Sequence, residues 1–330
     1  MHAKAFDRIQ TICKAAQHNQ VAPPYLESVR HICKYNPTNR MSIIKYIDEL
    51  TIDFQIHACG DILSLAANYV DRYIISSIKS IRESTREFEE RRIRWLHEEF
   101  AIKIGSECSQ KILKFCRRPA YEMDYILRKR CGVFWENIQL IVSTCFAIAS
   151  KFVEPIRCPR LRELERVHNF ENSVQDFEKM ETSILESLNW KINVVLPNHF
   201  FKDICKVCDF LPTNAHINRF DEITNAIPHI CDSMKYSPLI LACTVFLMLW
   251  TDFQETQLYD KNMPILLDVC KQYEQYSEMN DDLRTKETKK TKKTKKTKNP
   301  LLSCKEDLKD VFHVISQRNQ YKECRNHDVT

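Results

Sequence analysis

Apolar residues recur three and four positions apart along most of this chain, which is the spacing of helices with a buried face. Phe134, Ile138, Ile141, Cys145, Ile148 and Phe152 form one such stripe. Leu140, Val142, Phe146, Ala147 and Ala149 fill most of the remaining circumference, so this helix is expected at the centre of a bundle. Phe177, Met180, Ile184 and Leu188 make a second stripe. Two charges interrupt the pair. Lys151 lies on the flank of the first stripe, and Glu181 falls within the angular span of the second. A carboxylate there must reach the helix edge or find a partner, because an unpaired buried charge costs several kcal/mol. An internal Lys151–Glu181 ion pair and a charged rim for another protein are both compatible with this placement.

The same rhythm predicts further helices. Phe6, Ile9, Ile12 and Cys13 share one side of a short amphipathic helix that Pro23-Pro24 ends, and Tyr25 to Cys33 mark another. Residues 41–54 and Ile62, Leu65, Ala66, Tyr69 and Tyr73 give two more. From Lys79 to Arg130 the chain is highly charged, with Ile81, Phe88, Ile93, Leu96 and Phe100 interspersed, which predicts an exposed helical hairpin or a docking element. Leu196-Pro197 marks a hinge, after which 197–210, 216–234, 237–253 and 261–277 read as helices. Ser237-Pro238 is a start signal, a capping hydroxyl followed by proline at the first helical position. Leu301 to Tyr321 keeps helical register through Leu308, Val311, Phe312 and Ile315.

Composition narrows the chemistry. Only Gly60, Gly105 and Gly132 occur, too far apart for any glycine-rich phosphate cradle, and so few glycines point to an all-α chain. The fifteen cysteines are expected to be reduced apolar fillers. Cys205 and Cys208 would be half of a zinc site only if another pair completed it; no metal and no cofactor is expected. The longest apolar run, Leu239 to Trp250, is too short to span a bilayer, so no membrane partner is expected. The net charge of +5 hides an asymmetry: residues 284–298 carry +8, which leaves the rest at about −3. A mildly acidic body argues against a nucleic-acid-binding domain. The tract 286–298 itself reads as a solvated loop, a nuclear import signal or a nucleic-acid tether, with nucleus and cytoplasm as the expected locations. No catalytic motif is found, so no enzymatic activity is expected.

Four segments in order resemble the cyclin box. AIASKFVEP is similar to the family's Ala-Ser-Lys-Phe segment, and thirty residues after Lys151, METSILESLNWKI is similar to the segment that carries its Glu. LSLAANYVDRYI (Leu63 to Ile74) resembles the helix with the Asn-Tyr-x-Asp-Arg core, and YSPLILACTVFLMLW (Tyr236 to Trp250) a helix of the second cyclin fold. Asp71-Arg72 matches the family's Asp-Arg, expected as a helix-end ion pair. Met41 falls on the first residue of the family's Met-Arg-Ala-Ile-Leu motif, while Ser42 stands where its Arg would be. A one-residue slip puts Ile47 where the family has Trp.

The resemblance implies two tandem five-helix folds, at 41–196 with an insertion at 79–130 and at 197–321 with a Lys/Thr-rich loop at 281–300. They would be preceded by N-terminal helices in 1–40 and followed by a tail at 322–330. It implies a regulatory subunit that binds and activates a cyclin-dependent kinase in cell-cycle control. The long insertion adds a likeness to cyclin N-terminal domain-containing proteins of meiotic crossover control. Lys151, Phe152, Glu181, Leu185, Trp190 and Ile192 would contact the kinase. Met41, Ile44 and Ile47 would line a groove for short peptide motifs of substrates. The alternative is a non-activating scaffold that recruits repair or transcription factors.

Overall fold

The computed structural model describes residues 2–17, 37–57, 59–104, 120–169, 171–229, 236–252, 256–284 and 300–308. Every regular element in them is helical. The order is α1 (His2–Gln17), α2 (Pro37–Asp53), α3 (Cys59–Ile104), α4 (Ala120–Glu136), α5 (Ile138–Val153), α6 (Leu161–Val167) and α7 (Val174–Ser187). A 3-10 turn (Pro197–Phe200) leads into α8 (Phe201–Val207) and α9 (Asn214–Ala226). A second 3-10 turn (Ile227–His229), α10 (Pro238–Asp252), α11 (Thr256–Arg284) and α12 (Pro300–Asp307) follow.

Two central helices organise two hydrophobic cores. In α5 every residue from Leu140 to Ser150 is buried, as expected of a helix apolar nearly all round. α2, α3 and α7 pack around it, and the core they form runs from Ile43 to Leu196. In α10 every residue from Leu239 to Trp250 is buried, and α8, α9, α11 and α12 surround it in a core that runs from Phe200 to Leu308. The Ser237 hydroxyl accepts from the Ile240 amide at 3.2 Å, so the serine–proline start of α10 is capped. Core membership changes between Leu196 and Phe200. α1 joins the second core through Ala5, Ile9 and Cys13, and Arg8 reaches the buried Asp203 at 3.2 Å.

Several expectations need correction. The stripe from Phe134 to Phe152 is split between α4 and α5, because Asn137 leaves helical geometry at φ −102° and ψ 14°. The chain does not break at Lys79. α3 runs on for 46 residues, about 70 Å at 1.5 Å per residue. Ile75 and Ile78 are still buried against the first core, and i,i+4 pairs such as Lys79–Glu83 and Arg86–Glu90 support the helix beyond it. The expected helix at 25–33, the tract 286–298, the middle of the insertion at 105–119 and the chain after 308 lie outside the described residues, as does the side chain of Phe6.

The cores meet along a polar seam. Arg40 of α2 forms an ion pair with Asp71 of α3 at 3.0 Å, both buried, and donates to the Pro228 carbonyl at 2.6 Å. The Asn198 amide donates to Asp61 at 2.8 Å. Gly60 lies against the side chain of Asn225, which leaves no room for a Cβ. Burial, and then the neighbouring Asp61, raise the Asp221 carboxyl above its ordinary range.

Candidate functional site

α5 and α7 place the two charges that interrupt their stripes beside each other. Phe177 and Ile184 anchor α7 in the first core, and its start is fixed by a capping box between Ser173 and Asp176. Lys151, in the last turn of α5, then donates to both carboxylate oxygens of Glu181, at 2.6 and 2.7 Å. The side chains are 44% and 23% exposed, so this is a surface pair rather than an internal one. Such pairs contribute only about 0–1 kcal/mol to stability. The fold does not need this one, and its open side faces solvent.

The four apolar candidates lie on the ends of α5 and α7 and in the turn that follows α7. Phe152 is 46% and Trp190 66% exposed, unusual for aromatics this large, while Leu185 and Ile192 are half-buried against the core. Trp190 is held out by its backbone. Asn189 and Trp190 both take left-handed conformations, at φ 52° and 59°, a region that costs a bulky residue about 1–2 kcal/mol. The Trp190 amide donates to the Leu185 carbonyl at 2.8 Å. α3 pins the rest of the turn: the Tyr69 hydroxyl donates to the Ile192 carbonyl at 2.6 Å, and Arg72 to the Lys191 carbonyl at 2.9 Å. Burial raises the Tyr69 pKa and lowers that of Arg72.

Asp71 and Arg72 therefore do not form the expected ion pair with each other. Consecutive helical residues point apart, so Asp71 serves Arg40 and Arg72 serves the turn beneath Trp190. Of the three candidates for the expected peptide groove, Ile44 and Ile47 are buried in the first core and Met41 is half-buried.

Sequence reasoning missed Ile156. It is 96% exposed on the turn after α5, and Glu154 braces that turn: its carboxylate accepts from the His57 amide at 3.2 Å and its carbonyl from the Arg157 amide at 3.0 Å. Behind the site, His168 is buried between the Ser143 hydroxyl at 2.8 Å and the Tyr46 hydroxyl at 3.3 Å, and burial lowers its pKa. Cys205 and Cys208 are buried thiols, both pushed up to about 12 by burial. The described residues contain no group of three or more side chains able to hold a metal ion.

The family of cyclin N-terminal domains matches residues 120–193, which include α4, α5, α7 and all six residues of the surface around the ion pair. S-phase entry cyclin-5 of Saccharomyces cerevisiae is 33% identical over 98 residues, 30% of this chain and 22% of the yeast protein. The match thus spans under a quarter of the yeast protein. Among solved structures, a viral cyclin from herpesvirus saimiri aligns over 72% of this chain and 86% of its own, with a TM-score of 0.41 and 14% identity. Residues 120–193 thus resemble a cyclin N-terminal domain, and the chain is similar over 98 residues to a yeast cyclin.

Proposed function

We propose that the chain is a regulatory subunit that binds a cyclin-dependent kinase through the surface around Lys151 and Glu181 and activates it. The observation that carries this reading is the bidentate Lys151–Glu181 pair at the surface, with Phe152 and Trp190 both exposed. A neutralised pair asks the partner for no countercharge. It leaves one ammonium proton and spare carboxylate lone pairs, which suit backbone carbonyls and amides of a docked helix or loop. Leu185, Trp190, Phe152 and Ile192 supply apolar area around it.

The chemistry belongs to the partner. In a protein kinase the Glu of its αC helix must pair with the β3 Lys to position ATP. A surface that binds only the inward position of that helix shifts the equilibrium toward it by the difference in affinity. In this reading the two cores are tandem cyclin folds at 41–196 and 197–321. Lys151→Glu puts two carboxylates side by side and is expected to weaken association by about 2–5 kcal/mol. Affinity of the full chain for purified cyclin-dependent kinase catalytic subunits, with and without the substitution, checks it. Unchanged binding of the reversed variant contradicts the site.

A second reading, a non-activating scaffold, is favoured by one observation: α3 carries exposed Phe88 and Trp95 on its segment beyond the first core. Failure of the chain to raise the activity of a kinase it binds supports that reading.

A further inference from the structure

Where α3 leaves the first core it keeps a seven-residue apolar rhythm. Ile81, Phe88 and Trp95 recur at that interval, with Ser84, Arg91 and Glu98 between them, so the six positions form one stripe about 26 Å long. Ile81 still touches the first core, but Phe88 is 50% and Trp95 59% exposed. α4 packs on a different side of α3, where the Arg130 guanidinium donates to the hydroxyl of the buried Thr85 at 2.9 Å. Two large aromatics in water on a long helix forgo their burial, and a seven-residue apolar seam is the pattern by which helices pair along their length.

The charges beside the stripe indicate which partner fits it. Glu87 and Arg94 are also seven residues apart, both exposed and on one flank of the stripe. Neither has an ion-pair partner among the described residues, whereas Arg86 is paired with Glu90 and Arg92 with Glu89 along the helix. A second α3, laid antiparallel about a two-fold axis near Glu90, brings Glu87 to Arg94 of the other copy and Arg94 to its Glu87. Arg91 then falls beside Phe88 of the other copy, a guanidinium against an aromatic ring. A parallel copy in register would set like charges level, Glu87 with Glu87 and Arg94 with Arg94.

We infer that the projecting part of α3 pairs antiparallel with the same segment of a second copy, so that the chain forms a symmetric dimer through the stripe of Ile81, Phe88 and Trp95. The inference is independent of the proposed function, because it uses neither the Lys151–Glu181 pair nor a kinase.

Sedimentation equilibrium of the full chain between about 1 and 100 µM reads the pairing directly. The average mass is expected to climb from that of one chain towards that of two. Glu87→Arg alone and Arg94→Glu alone each turn two attractive contacts into two repulsive ones. Each is expected to raise the half-association concentration at least about fivefold. The double variant exchanges the two charges, restores both contacts and should return to within about twofold of the parent. Trp95→Asp should weaken pairing at least about tenfold. Circular dichroism of every variant should match the parent, since the substituted side chains are exposed. A single-chain mass at every concentration, the result expected if residues 105–119 or a different protein cover the stripe, overturns the inference. So does association that neither single charge variant weakens, or that the double variant fails to restore.

Discussion

An unpaired buried charge costs several kcal/mol, and Arg40 and Asp71 avoid that cost by meeting each other. Asp71→Ala leaves the guanidinium buried with the Pro228 carbonyl but without its carboxylate, and is expected to cost about 3–5 kcal/mol in urea denaturation. Replacing both residues by apolar ones of similar size should recover much of the loss, and a single-variant loss below about 1 kcal/mol contradicts this role. His168 gives a pH signature. Burial holds it neutral, with a folded pKa below its ordinary value near 6.5, so the unfolded chain binds more protons in the window beneath that value. Stability should therefore fall as pH drops through about 6.5 and level off below the folded pKa, and His168→Gln should flatten that slope in denaturation series. Lys151 and Glu181 were legible in the sequence because a charge inside an apolar stripe is conspicuous. Arg40 was not, since nothing local distinguishes a buried arginine from a solvated one.

At the scale of elements, hydrophobic period located α5, α7 and α10 because each buries a side or more in a core. It did not reveal that α3 continues past the core. The charge of the stretch after Lys79 predicts a separate element, but i,i+4 ion pairs and the absence of Gly and Pro from Lys79 to Ile104 let one helix carry on without apolar cover. The turn that presents Trp190 was also hidden, since its left-handed backbone is fixed by Tyr69 and Arg72 from more than a hundred residues away. Gly60 offers a test at this scale. Glycine to alanine inside a helix ordinarily stabilises, yet here the added methyl meets the Asn225 side chain. Gly60→Ala is expected to cost about 1–3 kcal/mol in chemical denaturation, and pairing it with Asn225→Ala should remove most of that cost. Additive effects of the two substitutions would contradict a contact across the seam.

For the whole molecule, the two cores are joined by Arg40, Asn198 and the approach of Gly60 to Asn225, which together hold α2 and α3 against the second core. α3 in turn pins the turn under Trp190, so the candidate surface is tied to the body rather than carried on a separate helix pair. All-α architecture was legible from glycine scarcity and helical period, and residues 120–193 match the family of cyclin N-terminal domains. Activation of a kinase is the central claim. The most direct measurement is the phosphorylation rate of a peptide substrate by a purified cyclin-dependent kinase catalytic subunit, titrated with the full chain and with its Lys151→Glu variant. The expected result is a saturable rise in rate with the parent chain, displaced to at least about tenfold higher concentration by the charge reversal. A kinase that binds the chain without any rise, or one stimulated equally by both proteins, would contradict the account.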